Sequence, residues 1–360
     1  MMTRLIRLAA WLISAMWMSG CVTAPVNTVV FEGRTYGLAE GPSEATASEN
    51  KTFALSRKGS TVIRNPVGDV VVTPWELDSV HVAATKRVSA ATEEQATAIL
   101  KNARLRMAQR GRTFEIAIVA AETATGKNAA PCLMPRTDLA IRVPWGTYCQ
   151  ISAGRGNITA SGSLGTTTAR AKTGDIEISD VRGGVAAHTD SGDIQVRGIH
   201  AVNVVATANR GSVRLENVNA KATVRITRGT LSAVNINGRL LAKVTEGDIR
   251  VENPYGTVDA RTGSGDISLS VVGEDILEPI ALQTAGGNVR FTGPPNVRAE
   301  LRLSAEGGVI RSGYEIQAKG VLSENAARGS INGGGQTLTL ATAAGNITLE
   351  TREPPVEFLQ

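Results

Sequence analysis

A glycine followed by a short polar residue and then Ile, Val or Leu recurs about every 18 residues through the second half of this 360-residue chain. The series runs Gly156-Asn157-Ile158, Gly174-Asp175-Ile176, Gly192-Asp193-Ile194, Gly211-Ser212-Val213, Gly229-Thr230-Leu231, Gly247-Asp248-Ile249 and Gly265-Asp266-Ile267. The steps between the glycines are 18, 18, 19, 18, 18 and 18 residues. A looser continuation follows at Gly287-Asn288-Val289, Gly329-Ser330-Ile331 and Gly345-Asn346-Ile347. A fixed period of this length is the mark of stacked coils, in which each repeat buries its apolar side only against its neighbours. It argues against a globular core built around one pocket.

Aligning the repeats on the apolar residue after each Gly-polar pair exposes the cross-section. Two residues on come Ala160, Ile178, Val196, Leu215, Ala233, Val251 and Leu269, and five on come Val181, Ile199, Val218, Ile236 and Val272. A second alternating trio begins about nine residues on, as in Val185/Ala187/Thr189 and Leu240/Ala242/Val244. Gaps of two are the strand period, with alternate side chains on one face. Two strands and two turns then make one coil. The expected fold is all-β: a single-stranded parallel β-helix, or β-solenoid, with coils of about 18 residues and, by analogy, right-handed winding. The turn glycine suits a positive φ, and the following Asp, Asn, Ser or Thr suits a side chain bonding back to its turn. Aromatics are only 4% of residues, in keeping with a narrow interior filled by Val, Ile and Ala.

The first third shows the pattern with interruptions. Gly68-Asp69-Val70 repeats the turn signal, followed by Val72 and Trp75, with Val80, Val82 and Ala84 as a second strand. A helix is expected over 92–108: Thr92 and Gln95 form a capping box, Ala96, Ile99, Leu100, Ala103 and Met107 make one apolar stripe, and Gly111 ends it. Its expected place is across the open sheet edge of the N-terminal coils, or along one lateral face. Phe114, Ile116 and Ile118 alternate as a strand, 120–137 reads as a polar loop, and Leu139, Ile141 and Val143 lead into the regular stack.

The ends read differently. Arg4 and Arg7 precede an apolar run from Leu8 to Met18 that is too short to span a bilayer as a helix. It closes on Met18-Ser19-Gly20-Cys21, which resembles the lipobox of bacterial lipoproteins and implies cleavage before Cys21 and lipidation of its thiol. An ordinary signal peptide cut nearby, or an uncleaved anchor, stays open. Val22 rather than Asp after the cysteine implies outer-membrane sorting in a Gram-negative cell. The divisions expected are 1–20 signal peptide, 21–50 flexible tether, 51–150 N-terminal coils with the inserted helix, 151–352 regular solenoid and 353–360 tail.

The combination of Asn65-Pro66-Val67-Gly68-Asp69-Val70 leading to Trp75, the helical insert, Leu139-Ala140-Ile141-Arg142-Val143-Pro144-Trp145-Gly146 and the Gly-Asp-Ile turns resembles a family of bacterial envelope proteins described as "putative adhesins". The resemblance covers most of 60–350 and implies a β-solenoid at the cell envelope. It brings no catalytic residues.

Three constellations bear on function. Asp175, Asp193, Asp248 and Asp266 share one turn position, but Asn157, Ser212 and Thr230 occupy it too. Interchangeable oxygens indicate a hydrogen-bonding role, and the nine-residue Gly-rich repeat of calcium-loaded β-rolls is absent, so no metal or cofactor is expected. Twelve residues after the aligned apolar position lie Arg170, His188, Thr207, Arg225, Lys243 and Arg261. This position falls between two inward ones, so Arg170, Arg225, Lys243 and Arg261 are the candidate anion-binding stripe; a solvated face balanced by acids such as Asp259 and Glu246 is the plainer alternative. Cys132 and Cys149 either pair in an oxidising compartment or leave Cys149 as a buried, inert thiol.

The formal charge is +5, or 5 − 2 = +3 without Arg4 and Arg7, which permits contact with anionic surfaces without showing it. The three histidines have no helix-spaced partner, and no Gly-x-Ser-x-Gly element or phosphate-cradling loop is present. The expectation is a non-enzymatic envelope lipoprotein facing the periplasm or exterior. It would be held to the membrane by its lipid and bind an anionic envelope polymer or another envelope protein, with nucleic acid not among its partners. A polysaccharide-active β-helix enzyme is the alternative.

Overall fold

The computed structural model describes residues 27–56, 59–120 and 132–352. The signal segment, Cys21 and the 353–360 tail lie outside the described residues, as does most of the polar loop. The described chain is nearly all strand, with one α-helix and no closed barrel, and is β-solenoid-like in its stacking.

The recurring apolar position forms one continuous interior row. Ile158 lies opposite Ile176, Ile176 opposite Ile194, then Val213, Leu231, Ile249, Ile267 and Val289, every step in parallel register. Ile176, Ile194 and Ile249 are each 1% exposed. On the second face of each coil, Ala169, Ala187, Ala206, Val224, Ala242 and Ala260 stack in the same way. Each fully buried Val, Ile or Leu contributes about 1.5–3 kcal/mol, which a lone coil cannot set against its ordering entropy but a stack can.

Stacking explains the glycine more strongly than the turn does. Gly174 has φ 144°, and a Cβ on it would sit 2.1 Å from the carbonyl oxygen of Gly156 directly below. The polar residue after it departs from expectation. Its side chain does not bond back to its own turn but accepts the backbone N–H of the equivalent residue in the next coil. Asn157 Oδ1 takes Asp175 N at 2.9 Å, Asp175 Oδ1 takes Asp193 N at 2.8 Å, and Asp193 Oδ1 takes Ser212 N at 2.7 Å. The ladder resumes with Asp248 to Asp266 at 2.8 Å and Asp266 to Asn288 at 2.7 Å. Asp and Asn exchange because each carries an oxygen at that reach, whereas the shorter Ser212 hydroxyl lies 3.5 Å from Thr230 N and the ladder lapses there.

At both ends the layer order leaves the chain order. Ser60–Val67 and Val70–Trp75 form a coil, on which Tyr148–Arg155 and Ile158–Ser161 stack with Ile151 opposite Ile63 and Ile158 opposite Val70. The intervening chain forms the layer beneath: Ile116 lies opposite Ile63 and Leu139 opposite Val70. Antiparallel strands close that end. Ala103–Arg110 pairs with Thr113–Ala120, Ser79–Ala90 with Arg136–Pro144, and Ser43–Ala54 with Ser79–Ala90. Val80, Val82 and Ala84 therefore belong to the cap and not to a coil.

At the far end, Thr337–Ala344 and Ile347–Thr351 insert between the coil of Ile280–Gly293 and that of Ala299–Ser312. Ile347 sits between Val289 and Ile310. Gly329-Ser330-Ile331 is not a turn but part of the antiparallel strand Ala326–Ile331. The unforeseen turn is at Gly308, whose Cβ would meet Gly345 O at 2.0 Å.

Other expectations are corrected. The helix is Glu93–Asn102, with Thr92 Oγ1 accepting from Gln95 N at 3.2 Å and Gln95 Oε1 accepting from Ala91 N at 3.2 Å. Ala103 and Leu105 are buried in the strand that follows, so Ala103 and Met107 satisfied a helical and a strand period at once. Gly111 lies in the hairpin after that strand. The helix buries Ala96 and Ile99 in a small second core with Val88, Ala90 and Leu133. The described part of the expected tether is not loose chain. Asn27–Phe31, Arg34–Leu38 and Ser43–Ala54 are strands, and Val29 and Phe31 pack on the side-chain-free surface of Gly154. Val272 points outward at 64% exposure, because the step from Gly265 to Gly287 is 22 residues and the extra length bulges there.

Candidate anion-binding face

The candidate cations lie on the second strand of each coil, at a position whose neighbours on either side point inward. Arg225, for example, lies between Val224 and Ile226, which are 1% and 2% exposed. Strand pairing then fixes one outward row: Arg170 opposite His188, His188 opposite Thr207, Thr207 opposite Arg225, Arg225 opposite Lys243, and Lys243 opposite Arg261. Arg225, Lys243 and Arg261 occupy consecutive layers, about 4.8 Å apart. Arg170 is in the same row but three layers away, so the structure does not bring it to the other three.

The balance of charge differs along the row. Arg261 donates from Nε to Asp259 Oδ1 at 2.9 Å. His188 lies 3.1 Å from Asp190, and Arg228, beside the row, pairs with Glu246 at 3.0 Å. Arg225 and Lys243 make no ion pair among the described residues and are exposed. Two unit charges at roughly 5 Å repel by about 1 kcal/mol in water, so an anion laid over the pair is favoured by relieving that repulsion. The guanidinium offers a planar fork and the ammonium a compact charge, a combination suited to phosphate, sulfate or carboxylate.

A cavity of about 320 Å³ adjoins this row, bounded by Lys243, Arg261, Gln283, Ser304 and Glu306. Gln283 continues the row beyond Arg261. Ser304 and Glu306 come from the coil displaced by the inserted C-terminal strands, so sequence spacing gave no sign of them. A second groove, of about 680 Å³, follows the turn ladder and the outward row Ser232, Arg250, Ser268, Arg290, Thr348 and Arg311. Counting one residue on from the aligned apolar position finds Arg250 and Arg290. Arg311 is hidden by the change in layer order. Arg250 is paired with Glu252, and Arg290 lies 3.3 Å from Glu350.

Cys149 is a free, buried thiol, and burial pushes its pKa up to about 12. The side chain of Cys132 lies outside the described residues. No helix among the described residues is long and apolar enough to cross a membrane.

The family model described as Toastrack DUF4097 matches residues 62–252 and 239–350, well over half of the chain. The chain belongs to the Toastrack DUF4097 family. Its two matches overlap within the coil at 239–252, as expected where one repeat unit recurs. No curated protein matches. Among solved structures, the chain is similar to a "putative adhesin" from Parabacteroides distasonis at 13% identity, covering 85% of this chain and 97% of that one with a TM-score of 0.40. A "putative lipid binding protein" from the same organism shows 12% identity, 84% and 96% coverage and a TM-score of 0.40. A "putative adhesin" from Parabacteroides merdae shows 13% identity, 85% and 96% coverage and a TM-score of 0.40.

Proposed function

We propose that this Toastrack chain is a non-enzymatic lipoprotein of the bacterial envelope, anchored through Cys21, that presents a right-handed parallel β-helix as a rigid binding surface. Its ligand is an anionic envelope component, either a polymer or a lipid headgroup, contacted by the row of Arg225, Lys243 and Arg261. The observation that carries this reading is the pair Arg225 and Lys243, held side by side on adjacent strands and exposed without an acidic partner among the described residues. The signal segment ending in Cys21 supports the anchor, and in a Gram-negative cell outer-membrane sorting follows. The neighbouring cavity supplies Gln283 and Ser304 as further donors and one carboxylate, Glu306, whereas glycoside hydrolysis employs two.

The test is the triple reversal Arg225→Glu, Lys243→Glu and Arg261→Glu. Binding to dextran sulfate and to phosphatidylglycerol vesicles, measured at low and physiological salt, separates the two sources of anion. Loss of at least one of these interactions, with unchanged melting, is expected. Equal binding by the triple variant and the parent would remove the cationic row from the account.

A further inference from the structure

Among the coils from Gly156 to Gly287, the one long insertion sits between Ser270 and Ile280, where the 18-residue step becomes 22, an excess of 22 − 18 = 4 residues. Insertions in a repeat array fall in the connections and frequently mark a binding face. This one exposes Val272 and Leu277 at 64% and 57%, beside Tyr255 of the preceding coil at 54%. The three surround a cavity of about 260 Å³. Exposed apolar residues also occur elsewhere on the same series of connections, at Leu77, Trp145 and Val202.

The exposure does not come from a loose loop. Val271 and Ile280, buried at 8% and 3%, anchor the two ends of the insertion, and Ile276, buried at 5%, anchors it between the exposed Val272 and Leu277. Arg298 grips Asp275 with two bonds of 2.7 Å, Nε to Oδ1 and Nη2 to Oδ2, and its backbone N–H donates to Glu274 O at 2.8 Å. A loop fixed this firmly could turn Leu277 inward only by breaking those contacts. Its rim is acidic. Glu278 is exposed with no ion pair among the described residues, and Glu274 has only the more distant field of Arg298, whose guanidinium is already taken by Asp275. One opposing charge, Arg239, lies a layer away in the connection stacked beneath Gly256.

We propose that this insertion is a docking site for a protein segment that places a bulky apolar side chain between Tyr255 and Leu277 and sets a lysine or arginine against Glu274 and Glu278. The apolar cluster supplies the anchor pocket of an interface and the acids its charged rim. The site is on the connections between faces, not on the strand face carrying Arg225 and Lys243, so the two fail or stand separately.

The test is selection of a random phage-displayed peptide library on the full-length chain in detergent. Enriched peptides are expected to carry Phe, Leu, Met or Trp within two positions of Lys or Arg. Their affinity should fall at least tenfold on Leu277→Ser and on Tyr255→Ser, and at least threefold on joint Glu274→Gln and Glu278→Gln, while the triple reversal of the cationic row leaves it unchanged. If Tyr255→Ser lowers the melting temperature, Val272→Ser and Leu277→Ser, both at exposed side chains, decide the matter. No enrichment, peptides without a basic residue, or binding indifferent to Leu277→Ser overturns the proposal. So does concentration-dependent dimerisation abolished by Leu277→Ser, which would make a second copy the occupant.

Discussion

Gly211→Ala tests how much of the stability rests on the close approach of successive turns. Gly211 has φ 138°, and a Cβ there would lie 1.9 Å from Gly192 O, where ordinary contact begins near 3.4 Å. The shortfall is 3.4 − 1.9 = 1.5 Å against a layer spacing of about 4.8 Å. Opening the turn by that amount breaks or stretches the bonds that join these layers, Gly192 N to Arg210 O at 2.9 Å and Ser212 N to Asp193 Oδ1 at 2.7 Å. Backbone strain of about 1–3 kcal/mol and two weakened hydrogen bonds at about 1 kcal/mol each give a loss of about 3–5 kcal/mol. Gly33→Ala is the control: its φ is 76° but nothing lies within 4 Å of its Cβ, so only the conformational cost of about 1–2 kcal/mol remains. Urea unfolding of both variants, followed by circular dichroism and by tyrosine fluorescence, measures the difference. Coincident probes are required, because a break in mid-stack can split a repeat array into two transitions. Equal losses for the two variants would refute the stacking argument and leave only the φ preference.

Three further outcomes follow from the same contacts. Asp193→Asn keeps the acceptor for Ser212 N and should change stability by less than 0.5 kcal/mol, whereas Asp193→Ala should cost about 1 kcal/mol in the same urea assay. Cys149, with its pKa raised by burial, should resist iodoacetamide in the native chain and react once unfolded; since the unfolded thiol ionises first, its contribution to stability is complete below about pH 8.5 and declines as pH rises toward the folded value of about 12. Asp275 is held below the usual carboxylate range chiefly by its hydrogen bonds from Arg298, so the grip on the insertion is complete above about pH 4 and weakens as pH falls through the depressed value. Protection of the Arg298 amide, its exchange taken relative to the intrinsic rate at each pH, should fall at that acid end, and unchanged protection would show that the bidentate pair does not hold the loop.

The rows of Ile176, Leu215 and Ala242, and the outward placing of Arg225, Lys243 and Arg261, were legible because side-chain alternation and an 18-residue period are both written directly into the chain. A period identifies stacked neighbours only where each layer follows its predecessor in sequence. At the C-terminal end it does not, so Thr348 lands between Arg290 and Arg311, and Gly345 rests on Gly287 instead of following Gly329. The cavity beside Lys243 was invisible for the same reason, since Ser304 reaches it through a skipped layer. The part of Ser43–Ala54 up to Asn50 reads as polar tether because it is an edge strand with only partial cover, and burial leaves no alternation strong enough to see. Ala103 and Met107 misled by fitting two periods, and tertiary pairing with Thr113–Ala120 chose between them.

Engineered disulfides test the layer order most directly. In a chain with its native cysteines replaced, Gln283→Cys with Ala341→Cys joins residues 58 apart in sequence but directly opposite on adjacent strands, whereas Gln283→Cys with Ser304→Cys joins residues 21 apart that are separated by the intervening strand. Adjacent strands place Cα atoms about 4.8 Å apart and alternate strands about 9.6 Å, and only the first lies within disulfide reach. The first pair should cross-link under mild oxidation and the second should not. Cross-linking of Gln283→Cys with Ser304→Cys alone would mean that the coils stack in simple chain order, contradicting the fold and the cavity built upon it.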